Sequence, residues 1–184
     1  SIAISEREGW YADTSGIKER GYITQSTATQ MAKHWVQENM NIANVQGAEM
    51  LCVALPEAIG LQVLKKEMGL EALKQVLEKK KDYIGLHQAN EPNKEPPLVF
   101  SDGADYLEPH KGAIALNHLQ GVIGKEKFNR IILAFVEENP EEPKVFKDLY
   151  ELFWKEVPDA KKPMIKELFE TTKNLDEVLA ASNL

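Results

Sequence analysis

From Thr27 onward, apolar residues return at intervals of three and four, the period of helices that bury one face. Met31, Trp35 and Met40 mark the first stripe, with Ser26 or Thr27 as its N-cap, and the pattern fades between Asn39 and Asn44. A second run, about 48–68, aligns Met50, Leu51, Ala54, Leu55, Ala58, Ile59, Leu61 and Leu64. Gly69 closes it. Pro56 lies inside and removes a backbone donor, which predicts a kink or a late helix start. A third helix runs from Leu70 to about Tyr83 with Leu70, Leu73, Val76 and Leu77 inward. Lys79, Lys80 and Lys81 read as its solvated end, suited to the negative pole of the helix dipole.

Outside these stripes the period is lost. Residues 1–25 carry Gly9, Gly16 and Gly21 among polar residues and predict a short strand or loop. Residues 87–105 hold Pro92, Pro96, Pro97 and Gly103 and predict an extended loop. Helices then follow over 111–122, 125–138, 142–157 and 161–172, with a short one after Asn174, where Asn174 and Glu177 form a capping-box pattern. The fold class is mainly α.

Composition narrows this further. At 184 residues, 43% hydrophobic and 28% charged, the chain can bury one substantial core, so residues 1–184 are expected to form a single domain. A net charge of −7, with lysines interleaved among glutamates, lacks the basic patch of a nucleic-acid binder, so no nucleic acid is expected as partner. No apolar run approaches the ~18 residues of a membrane span. The single cysteine, Cys52, is expected to be a buried structural thiol, and Met31, Trp35 and Met50 are expected to be core packing.

Two segments carry more than periodicity. Thr27-Ala28-Thr29-Gln30-Met31-Ala32-Lys33-His34-Trp35, followed by the block from Ala43 to Leu51, resembles the active-site region of aminopeptidase N-type gluzincins, above all the peptidase domains fused to bacterial ABC-transporter permeases. Lys111-Gly112-Ala113, the stretch from Ile123 to Arg130, and Glu167-Leu168-Phe169-Glu170 extend the similarity over nearly the whole chain. The resemblance implies the helical half of a thermolysin-like zinc-peptidase catalytic domain. Ser1–Glu6 and Trp10–Asp13 stand where that family has an edge strand and its loop. It further implies a piece of a larger, bacterial, transporter-associated protein anchored at the cell membrane.

The family's chemistry rests on H-E-x-x-H. Two histidines on one helical face grip zinc while the glutamate between them is general base toward the metal-bound water. The matched positions here are Thr29, Gln30 and Lys33. By the register of the second block, the third ligand, a glutamate in the family, falls on Val53, and the tyrosine that stabilises the oxyanion falls on Pro109. A hydroxyl, an amide, an ammonium, an alkyl group and a proline replace the catalytic set while the flanking residues persist. The resemblance therefore points to a pseudoenzyme that has lost zinc, with no cofactor, whose inherited cleft takes a peptide or protein partner or whose role is structural. Lys33 would bring a positive charge to the former metal position.

The alternative is a metallo-aminopeptidase with an unconventional zinc site. Its candidate ligands are His34 and Glu38, four apart on one helical face, with Glu57 from the next helix. Glu49 is expected to pair with Lys33 or to cap backbone near Asn44, and His110 and His118 are expected to be surface or packing residues.

Overall fold

The computed structural model describes residues 15–90, 95–103 and 105–181. Within them the chain is mainly helical: α1 (Ile17–Asn39), α2 (Leu55–Asn90), α3 (Ala113–Ile123), α4 (Lys125–Glu137), α5 (Phe146–Glu156), α6 (Lys162–Glu170) and α7 (Leu175–Ala181). Wide π-turns at Met50–Ala54 and Leu107–Gly112 lead into α2 and α3. The β pairing among the described residues is one isolated parallel bridge, Ile42 to Lys144. No helix among them is long and apolar enough to cross a membrane.

The expected strand or loop over 1–25 is corrected in part. Residues 1–14 lie outside the described residues, and α1 begins at Ile17, ten residues ahead of its apolar stripe. Packing makes those extra turns helical, because Gly21 and Gln25 are buried, Gly21 facing Leu64 of α2. Met31 is a second correction: it is 56% exposed, whereas Met50 is fully buried and Trp35 half-buried. At Met31 the buried face of α1 is carried by its neighbours Thr29, Ala32 and Val36 instead.

Pro56 has the predicted effect. The regular helix begins only at Leu55, after a π-turn in which the Leu55 amide donates to the Met50 carbonyl, five residues back. The wide turn suits the site, since a proline ring collides with the carbonyl four residues before it in a regular helix.

α2 is helical throughout except at Gly69, where φ is 86° and ψ is 178°. Two observations show that this break is a hairpin. Leu61 and Leu73 belong to one apolar cluster with Ala113. Glu57 and Lys80 form a 3.0 Å ion pair, although a straight helix rising about 1.5 Å per residue would hold them roughly 35 Å apart. The limb after Gly69 thus returns along the limb before it. It also runs past the expected end at Tyr83 to Asn90, so part of the expected loop over 87–105 is helix.

The main core is one continuous cluster that takes in Val36, Leu55, Ala58 and Leu116 of α1, α2 and α3 and runs on through α4, α5 and α6. Phe128, Ile132, Phe135 and Val136 of α4 meet Phe146, Leu149, Tyr150 and Phe153 of α5, and Ile165, Leu168 and Phe169 of α6. Phe128 and Phe153 stack with centroids 4.7 Å apart, and Tyr150 leans on Phe169 at 5.2 Å. α7 closes the end, with the Asp176 amide donating to the Asn174 side chain at 2.8 Å.

Candidate functional site

The five positions singled out by the zinc-peptidase motif lie on three elements: Thr29, Gln30 and Lys33 on α1, Val53 in the first π-turn, and Pro109 in the second. Gly112, at the end of the second turn, is pressed against the first: a Cβ there would come within 2.9 Å of both Ala54 and the Met50 sulfur. The two π-turns therefore pack directly, which gives the Lys111-Gly112 pair a physical reason to be glycine at its second position.

Thr29 is 2% exposed and turned into the α1–α2 interface, where a Cβ at Gly60 would collide with its hydroxyl. Its Oγ1 is buried with no hydrogen-bond partner among the described residues. Gln30, Lys33 and Val53 are half-buried. The Lys33 charge reaches Cys52, next in sequence to Val53. Pro109 contributes a carbonyl, which accepts from Lys80 Nζ at 2.7 Å.

Around these positions the structure assembles polar groups that periodicity does not reveal. Lys80 is 7% exposed, a correction to its reading as part of a solvated helix end. It donates to Glu57 Oε2 at 3.0 Å and to Pro109, and Gln25 Nε2 donates to the same Glu57 oxygen at 2.9 Å. One ammonium thus ties both limbs of α2 to the second π-turn, with α1 joined through Gln25. The signal lay in Gly69: Glu57 stands twelve residues before it and Lys80 eleven after, so a hairpin reading of the glycine pairs them.

Lys111 is a second buried cation. It pairs with Glu95 Oε2 at 2.6 Å and reaches the Lys173 carbonyl at 3.3 Å. Burial opposes ionisation of Glu95, but hydrogen bonds from Lys111 and Gln88 outweigh it and hold the carboxyl below its ordinary range.

Glu108 is 1% exposed; burial pushes its carboxyl up, assisted by the Glu49 charge, while the Gly103 amide donates to it at 3.1 Å. Glu49 also accepts from the Cys52 thiol at 3.3 Å. Burial first, and then that hydrogen bond, push the thiol up to about 12, so Cys52 stays protonated and is no nucleophile at neutral pH.

The relocated set His34, Glu38 and Glu57 is not brought together. His34 and Glu38 approach to 3.8 Å on the exposed face of α1. Glu57 is engaged with Gln25 and Lys80, and Gln25 lies nine residues before His34, on the opposite side of a helix with 3.6 residues per turn. His110 stacks on Tyr83 at 4.3 Å, and burial, with the Lys80 charge behind it, pushes its imidazole down to about 4. His87 continues the stack onto Tyr106 at 4.9 Å. His118 lies 3.3 Å from the Met164 sulfur.

A zinc site needs imidazole, thiolate or carboxylate donors. Thr29, Gln30, Lys33, Val53 and Pro109 supply a hydroxyl enclosed between helices, an amide, an ammonium, an alkyl group and a carbonyl already held by Lys80. As a set they do not fit the ion. Beside them opens a cleft of about 250 Å³ between α1 and the second limb of α2, with Tyr22, Gln25, Val76, Lys80, Tyr83 and His110 among its walls. No protein-family model matches the chain, and no curated protein or solved structure shows significant similarity to it.

Proposed function

We propose that this chain is a peptidase-like domain without hydrolytic activity, which binds a peptide or protein partner or serves as a structural module of a larger, transporter-associated protein. The observation that carries this reading is the replacement of all five motif positions, Thr29, Gln30, Lys33, Val53 and Pro109, inside flanks that still resemble the gluzincin pattern. The Glu57–Lys80 pair supports it, because a fixed ammonium and its carboxylate now join α1, α2 and the second π-turn through protein contacts alone. The transporter association rests on the family resemblance. The cleft beside these positions, with apolar walls and a few polar groups, is lined like a ligand site but falls just below the usual size range.

The test is metal titration with a restoration arm. The natural chain is expected to bind no stoichiometric zinc by calorimetry and to release no amino acid from aminoacyl reporters. The combination Thr29→His, Gln30→Glu, Lys33→His and Val53→Glu is expected to bring zinc binding back. Stoichiometric zinc with reporter cleavage by the natural chain would end the proposal in favour of an unconventional metallo-aminopeptidase. A folded quadruple variant that binds no zinc would show that the register is wrong.

A further inference from the structure

A larger groove lies away from all five motif positions, between the Gly69 bend of α2, the turn joining α3 to α4, and the turn before α6. Its volume is about 1160 Å³. Four lysines line it, Lys65, Lys66, Lys125 and Lys161, and no aspartate or glutamate does among the described residues. In a chain with 29 acidic and 22 basic residues, four lysines without a carboxylate among the described lining residues make this wall locally basic. Lys66 has a neighbour in Glu67 at 3.5 Å; Lys65, Lys125 and Lys161 form no ion pair among the described residues.

The floor is apolar. Leu73, Leu77 and Val122 line it, with Leu70, 54% exposed, at one lip. Gln120 lies in the wall, and its amide nitrogen is buried with no acceptor among the described residues. The same fold-back that pairs Glu57 with Lys80 shapes this surface, since Lys65, Lys66 and Leu70 flank the bend itself.

We infer that this groove is a docking site for an acidic peptide segment that carries leucine-like side chains between its carboxylates. The lysine rim fits the carboxylates and the floor fits the apolar side chains. The size argues for a peptide over a metabolite, because the groove exceeds the roughly 300–1,000 Å³ of small-molecule clefts. Its concavity argues against a flat lipid surface, which would meet the lysine rim and leave the floor untouched. The inference stands apart from the peptidase-like reading, for the groove shares no lining residue with the motif positions.

The experiment uses the full chain and a fluorescein-labelled peptide of glutamates and leucines, with a lysine-and-leucine counterpart, read by fluorescence anisotropy. Saturable binding of the acidic peptide alone is expected, weakening as salt rises. Lys65→Glu combined with Lys161→Glu is expected to weaken it by about tenfold or more, two reversed charges facing the ligand. Lys18→Glu with Lys79→Glu, at the smaller cleft, is expected to leave it unchanged. Circular dichroism confirms that each variant is folded. The inference is overturned by absence of saturable binding, by equal binding of the basic peptide, or by affinity that follows Lys18 and Lys79. It is also overturned if the reversals abolish only self-association in sedimentation, or only adsorption to phosphatidylserine vesicles, while the peptide does not bind.

Discussion

The α4–α6 region and the α1–α2 region bury different chemistry. The first closes on stacked rings and aliphatic side chains, Phe128, Phe146, Phe153 and Phe169 among them. The second adds to its own buried apolar residues, Val36, Leu55, Ala58 and Leu61 among them, a charged pair, an amide and a hydroxyl with no partner among the described residues, Glu57, Lys80, Gln25 and Thr29. Apolar packing is non-directional and tolerates small shifts, whereas a buried charge is stable only while its partner holds its place. Apolar burial therefore stabilises both regions, and the added polar groups hold one arrangement of α1, the α2 hairpin and the second π-turn.

The difference is sharpest in how double substitutions combine. Phe153→Ala removes a fully buried ring and is expected to cost about 3–5 kcal/mol in urea unfolding, with Phe128→Ala adding further loss as its stacking partner. Lys80→Ala should cost a similar amount, about 3–5 kcal/mol, because it strands the Glu57 carboxylate at 15% exposure. Combining Glu57→Leu with Lys80→Met should recover part of that loss, since it removes the stranded charge while the Gln25 amide and the Pro109 carbonyl lose their partners. A double variant as unstable as Lys80→Ala would contradict the comparison and make the ion pair a net source of stability.

The same contrast governs what the sequence disclosed. α4 was legible almost to the residue, 125–138 expected against Lys125–Glu137, because Phe128, Ile132, Phe135 and Val136 repeat its period without interruption. α5 begins at Phe146, four residues later than expected. There the Lys144 amide donates to the Asn41 carbonyl and the Ala43 amide to the Lys144 carbonyl, a pairing across about a hundred residues that local pattern does not encode. In the polar region the failures cluster: the early start of α1, the exposed Met31 and the buried Lys80 all depend on which face meets α2. The motif positions were legible as residue types, while the assembly of Pro109, Lys80 and Glu57 depends on the Gly69 hairpin.

A smaller effect separates the regions by pH. His110 has its pKa lowered from 6.5 to about 4, so between those values the unfolded chain takes up a proton that the folded chain refuses. Stability from this group is complete above 6.5 and is lost as pH falls toward 4. The groups facing it are Tyr83, which stacks on it, and the charges of Lys80 and His87. Between pH 7 and 5 the loss should reach roughly 1–2 kcal/mol. His110→Phe keeps a ring on Tyr83 and should flatten this part of the profile; an unchanged slope would place the titration elsewhere.

The smallest expected effect tests whether the polar region is optimised for stability at all. Thr29 Oγ1 is buried without a partner among the described residues, and a buried hydroxyl in that state costs about 1–3 kcal/mol relative to one that is bonded. Thr29→Val keeps the branched shape over Gly60, where no larger group fits, and removes the polar atom. The variant should gain about 1 kcal/mol, read as a higher urea midpoint with an unchanged slope. A loss of similar size would mean that the hydroxyl is bonded in solution, and the α1–α2 interface would then be a satisfied polar seam instead of one that tolerates an unpaired group.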